Sequence, residues 1–132
     1  MKVRAKYSSD EIPEFPELKV VLSDPHSQKF IEIRAKVDTG FSGSLLIGLD
    51  DYTNLGFPAH ENLVGSIVGR LASGTSVSVR ASKGILKLSD AERIPCSVYT
   101  IPVLARPLIG RELLNLWRTV LDGQKGALEI ET

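Results

Sequence analysis

Val37-Asp38-Thr39-Gly40-Phe41-Ser42-Gly43-Ser44-Leu45-Leu46-Ile47 changes pattern twice in quick succession. Before it, Phe30, Ile31, Ile33, Ala35 and Val37 set an alternating apolar face, the period of a strand with one side buried. At its end Leu45, Leu46 and Ile47 resume an apolar run. The small and polar residues 38–44 therefore form a loop between two buried strands. Upstream, Leu18, Val20 and Leu22 predict a partner strand. The turn between them is Ser23-Asp24-Pro25-His26-Ser27, where Asp24 can bond nearby amides and Pro25 fixes its own φ. Residues 1–17 carry Pro13, Pro16 and four acids close together, and read as an extended, solvated N-terminal arm outside a domain at 18–132. Downstream, 48–55 predicts one or two helical turns stopped by Gly56 and Pro58. Residues 64–71 and 75–80 predict a hairpin with its tip near Gly74, and 85–88 and 96–101 two more short strands. A short helix opens at Gly110 or Arg111, with Leu113, Leu114 and Trp117 on one face. Residues 119–122 and 127–131 close the chain as a hairpin. Many short strands and a single clear helix indicate an all-β barrel or sandwich.

The 132 residues are 42% hydrophobic and 24% charged, enough for one compact domain. Sixteen basic side chains balance sixteen acidic ones, so no strong positive field exists to collect nucleic acid or anionic lipid. Neither partner is expected. The longest apolar runs, 101–105 and 45–47, fall far short of the ~20 residues that span a bilayer. The basic start is followed by Tyr7-Ser8-Ser9-Asp10-Glu11, not by an apolar core, so no secretory signal is read and a cytoplasmic location is expected. The lone Cys96 cannot form an internal disulfide. With only His26 and His60 beside it, the ligand supply for zinc is poor. Cys96 reads as a buried structural thiol, the two histidines as surface residues, and no metal or cofactor is expected.

Of the seven aspartates, six are explained by an arm, a turn or a helix start. Asp38 is not, because it ends an apolar strand and borders the run at 45–47, which places its carboxyl at the edge of a core. Burial there costs free energy unless the group is bonded or changes protonation. Two such carboxyls side by side share one proton and so provide an acid and a base together. The ionised member can draw a proton from a water that attacks a peptide carbonyl, while the protonated member bonds the carbonyl oxygen. The bland reading of Asp38 is a strand-end carboxylate bonded to its own turn. Gly40-Phe41-Ser42-Gly43 lacks the spacing of a nucleophile elbow, which argues against a serine hydrolase.

Val37-Asp38-Thr39-Gly40 resembles the catalytic apolar-Asp-Thr-Gly loop of aspartic proteases. Pro107-Leu108-Ile109-Gly110-Arg111-Glu112-Leu113-Leu114 is similar to the apolar-apolar-Gly-Arg-x-Leu-Leu segment near the C-terminus of retroviral proteases. Between them, Arg70-Leu71-Ala72-Ser73-Gly74-Thr75 stands where that family places its flap hairpin, and resembles flaps of prokaryotic retropepsin-like domains. The resemblance implies an acid-protease-type closed barrel with one short C-terminal helix, one lobe per chain. It implies an aspartic endopeptidase in which Asp38, Thr39 and Gly40 are catalytic, and Phe41, Leu71, Ala72, Ser73, Gly74, Leu108 and Ile109 meet the substrate. No other aspartate is followed by Thr-Gly or Ser-Gly, so a dyad requires two chains. The implied assembly is a homodimer with its two-fold axis between the Asp38 side chains. Each Thr39 would bond across to the partner loop. The substrate is a peptide or unfolded protein held as an extended strand.

Two positions depart from the family pattern. Phe41 replaces a small residue and is expected to narrow the cleft. Ser42 replaces the acid that pairs with the arginine after Leu-Ile-Gly, so another acid is expected to compensate for Arg111. These departures motivate a rival reading, a non-catalytic dimeric module that binds peptides or proteins. A further rival is a structural domain in which the match is accidental. The strand at 127–131 is read either as part of an intersubunit sheet or as an edge strand in its own subunit.

Overall fold

The computed structural model describes residues 1–61, 67–70, 73–90, 92–104 and 106–132, with backbone alone at 67–70 and 77. β1 (Lys2–Lys6) belongs to a small terminal sheet described below. β2 (Glu17–Ser23) and β3 (Phe30–Val37) form the predicted antiparallel pair, with Leu18 opposite Ala35 and Val20 opposite Ile33. The period of two puts these four side chains on one buried face. At the turn, the buried Asp24 carboxylate accepts the amides of His26, Gln28 and Lys29 at 3.1, 2.8 and 2.7 Å. β4 (Leu45–Ile47) is buried throughout. It leads into α1 (Leu49–Asn54), which buries Tyr52, and a 3-10 turn over Phe57–His60, which buries Phe57.

β5 (Ile67–Arg70) pairs antiparallel with the start of β6 (Ser76–Lys87), making the expected hairpin with Gly74 at positive φ. The strands expected at 75–80 and 85–88 are one continuous strand. Gly84, which in sequence punctuates them, lies inside it because a Cβ there would meet Val98 Cγ2 at 2.7 Å and Phe57 at 3.2 Å. Here glycine marks a close approach of packed elements, not a turn. β6 runs antiparallel to β7 (Arg93–Thr100), and its last residues, Ile85–Lys87, also pair with β2. β7 lies parallel to β4, β4 antiparallel to β8 (Leu108–Ile109), and β8 parallel to the end of β3. The order β2-β3-β8-β4-β7-β6 thus returns to β2 and closes a barrel. Closure satisfies the strand edges that an open sheet exposes. The all-β barrel expected from the sequence is the observed architecture.

α2 (Arg111–Leu114) buries Leu113 and Leu114 against the barrel. β9 (Arg118–Asp122) and β10 (Ala127–Glu131) form the closing hairpin, and β10 also pairs with β1, giving a sheet of order β1-β10-β9. Leu128 and Ile130 carry the core into this sheet. The expected solvated arm is extended but packed: β1 takes one side of β10, residue 8 bridges residue 15, and Phe15 is buried beneath Lys36 and Arg106. Within this chain β10 is not an edge strand, since it has a neighbour on both sides. Among the described residues no helix is long and apolar enough to cross a membrane.

Candidate active site

Asp38 follows β3 directly, and its amide donates to Ile109 O at 3.0 Å, extending the parallel pairing by one residue. The chain then turns on itself. Phe41 N–H donates to Asp38 O at 3.2 Å, and Gly40 N–H donates to Asp38 Oδ1 at 2.9 Å. The carboxyl is half-buried, while Thr39 and Gly40 are exposed. The strand fixes the aspartate and the loop tip faces solvent.

The far side of the loop is tied to the second motif. Gly110 N–H donates to Ser44 O at 2.9 Å, Arg111 N–H to Phe41 O at 2.9 Å and Glu112 N–H to Gly43 O at 3.2 Å. These amides open α2 and have no acceptor within the helix, so the loop carbonyls act as its cap. The Ser44 hydroxyl adds a bond to the Glu112 carboxylate. Gly110 is required by this closeness, because a Cβ there would lie 2.5 Å from Phe41 O and 2.6 Å from Phe41 Cδ2. A methyl group would push the loop off the helix and displace Asp38 with it.

Phe41 was expected to narrow a cleft. Its ring packs over Gly43 and Gly110 and stands edge-on to Tyr99, with ring centroids 6.0 Å apart. The acid expected to compensate at Arg111 is not found: among the described residues no ion pair forms there, and the side chain is exposed. Leu108 is half-buried beside the loop. Ile109 is fully buried in the core, so its carbonyl, not its side chain, serves the loop. Ser73 and Gly74 are exposed at the hairpin tip, where the Ser73 hydroxyl bonds Thr75 Oγ1 at 3.2 Å. Leu71 and Ala72 lie outside the described residues. The structure thus joins Asp38, Thr39, Gly40 and Phe41 to Leu108, Ile109 and Gly110, while Ser73 and Gly74 belong to the projecting hairpin.

Ser44 and Glu112 were not singled out from sequence. Glu112 read only as an acid in the first turn of a helix, where it favours the dipole, and its partner is remote in the chain. Its charge also bears on the Cys96 thiol. Burial first, and then Glu112, pushes the Cys96 thiol up to about 12, so it stays protonated and unreactive at neutral pH. The same causes in the same order raise the Tyr99 phenol. His26 and His60 meet edge-on at 5.3 Å, and among the described residues no group of three metal-ligating side chains forms.

No protein-family model matches the chain, and no curated protein does. The fold does have solved counterparts. One is the crystal structure of a retropepsin-like aspartic protease from Rickettsia conorii, similar with a TM-score of 0.64 and 16% sequence identity over 98% of this chain and 90% of that one. At this identity the likeness is one of fold.

Proposed function

We propose that this chain is an aspartic endopeptidase of the retropepsin-like kind, working as a homodimer in the cytoplasm on peptides or unfolded protein. The observation that carries the reading is the Asp38 loop: a half-buried carboxyl at a strand end, locked to β8 and α2 by backbone bonds, with an exposed Thr39-Gly40 tip. A carboxyl used only to close its own turn would not need the remote anchor at Ile109–Glu112. The solved fold counterpart supports the same reading, as does the hairpin around Gly74, which offers a strand edge to an extended substrate.

In the proposed mechanism two Asp38 carboxyls, one from each subunit, share a single proton. The ionised one takes a proton from the bound water as its oxygen adds to the scissile carbonyl. The protonated one hydrogen-bonds the carbonyl oxygen and transfers its proton there as the tetrahedral adduct forms. Collapse of the adduct breaks the C–N bond: the carboxyl that took the water's proton passes it to the leaving nitrogen, and the other carboxylate takes a proton from the gem-diol, which leaves as the acid and restores the shared-proton pair. Thr39 and Gly40 hold the loop, and Ser73 and Gly74 of the hairpin with Leu108 line the substrate path. No cofactor takes part in this scheme.

The test is cleavage of an unstructured protein at pH 3–8, a span that brackets carboxylate and histidine titration, with products read by mass spectrometry. Wild type should cleave and Asp38→Asn should not, both remaining folded. Absence of cleavage by a folded dimer would replace this reading with the peptide-binding module.

A further inference from the structure

His26 and His60 have no part in the proposed chemistry, yet the fold brings them together. Their ring centres lie 5.3 Å apart, with the ring planes at 65°. His26 is exposed and His60 half-buried. Among the described residues neither ring nitrogen is engaged in a hydrogen bond or ion pair, and no third ligating side chain joins them.

Each histidine is pinned by its own element. His26 sits in the turn between β2 and β3. Its amide and those of Gln28 and Lys29 donate to the buried Asp24 carboxylate, and Ser27 N–H donates to Asp24 O at 3.0 Å. His60 ends the 3-10 turn over Phe57–His60. On one side of it Phe57 is buried in the core, and on the other Glu61 bridges Ser82 of β6 and accepts Arg80 Nε at 2.8 Å. Two imidazoles with independently fixed backbones thus share one point of the surface. An edge-on ring contact is weakly favourable by itself, and that is the alternative an experiment must exclude.

Neutral imidazole is a common ligand of transition metals. An ion about 2.0–2.1 Å from each nitrogen, in line with the ring, lies roughly 3 Å from each ring centre, so a tetrahedral ion sets two centres about 5 Å apart. The observed separation meets that value. The ring centre lies close to the χ2 axis, and χ2 of histidine is broad, so turning either ring re-aims its nitrogens while the separation holds. We propose that His26 and His60 form a two-imidazole site for a divalent transition metal ion of the zinc type, with water in the remaining positions. Magnesium and calcium, which take oxygen ligands, do not suit this pair. Because the two ligands come from different elements, the ion binds where folding has brought the turns together. It clips the β2–β3 turn to the segment between α1 and β5, and so favours the folded chain.

The experiment titrates the full chain with zinc chloride at neutral pH, by calorimetry and thermal melting, beside His26→Gln and His60→Gln. Wild type should take one zinc ion per chain with a micromolar dissociation constant, and Tm should rise by roughly 5 °C at about one hundred times that concentration. Each substitution should weaken binding roughly tenfold or more and remove the Tm shift, with circular dichroism unchanged. Magnesium should have no effect. Cobalt, a paramagnetic stand-in for zinc, should broaden the amide resonances of residues 24–28 and 57–61 together. Zinc binding only above about 1 mM, or binding that survives both substitutions, overturns the site and leaves a ring contact alone. Broadening around one histidine only also overturns it, as does a zinc-dependent gain in sedimenting mass that either substitution removes, which is an ion bridging two chains. None of these readouts depends on cleavage, so the metal site and the peptidase reading fail separately.

Discussion

The barrel and the terminal sheet solve the same problem in opposite ways. In the barrel, β2 meets both β3 and β6, so the strand order returns on itself and the site loop hangs from a closed frame. Among the described residues, the three strands of the terminal sheet stop at β1 and β9, leaving two edges. The Asp38 carboxyl hangs on the closed part, where each strand is held by two neighbours. The open sheet leaves backbone donors and acceptors available at its edges. α2 links the barrel to the open sheet.

The sharpest way to break this division is at Asp38. Asp38→Asn keeps an oxygen to accept Gly40 N–H, so melting temperature should hold while cleavage falls by roughly 10³-fold or more. A large loss of stability would mean that the carboxylate serves the loop and not the chemistry. Gly110→Ala attacks the link itself. Its methyl group would press on Phe41 O and the Phe41 ring, at a cost of about 3 kcal/mol for overpacking, or roughly 10 °C in Tm, with activity falling beyond what the unfolded fraction explains.

Asp24 tests the frame without touching the site. Asp24→Ala removes the acceptor of three amides and should cost about 2 kcal/mol in denaturant unfolding, with cleavage by the folded fraction unchanged. The carboxyl also sets a pH dependence. The Lys29 amide first, with those of His26 and Gln28, holds it below its ordinary 3.8 against the opposing effect of burial. Its contribution is therefore complete above 3.8 and lost as pH falls through the lower folded value. Melting curves between pH 2 and 5 should fall less steeply for Asp24→Asn than for wild type.

The smallest effect is expected on the terminal sheet. Glu129 accepts Arg4 Nε at 2.8 Å on the solvent face, and this bond holds its carboxyl below the ordinary value, with Lys2 adding to it. Exposed pairs of this kind contribute little and are screened by salt. Glu129→Gln should leave Tm almost unchanged, and whatever difference appears at low salt should vanish by about 1 M. A large, salt-resistant loss would show the open sheet to be as tightly coupled to the barrel as the barrel strands are to one another.

Much of the strand inventory was legible because its signals are local. Alternation at 30–37, the run at 45–47, the Asp24 turn and the closing hairpin each depend on residues close in the chain, and each forms. Two local signals misled. Gly84 resembles a break but answers to Val98 and Phe57 across the fold. Residues 1–17 resemble a loose arm because Val3 and Ala5 find their cover only after β1 pairs with the distant β10 and packs on the core. At the site, Asp38 stood out in sequence as a carboxyl at a core edge. Ser44, Glu112 and the inward packing of Phe41 did not, since each depends on a contact made after the barrel has closed.

The sequence by itself determined where most strands and turns fall, that one Asp-Thr-Gly loop follows a buried strand, and that the charge is balanced. Tertiary structure alone decided that β6 returns to β2, that the Asp38 loop caps α2, and that β10 lies between β1 and β9 and leaves β9 as an edge. Period and turn chemistry act over a few neighbouring residues, so one stretch of chain contains them. Strand partnership joins residues such as Arg4 and Glu129, 125 positions apart, and only the packed chain selects among the pairings that the same local patterns allow.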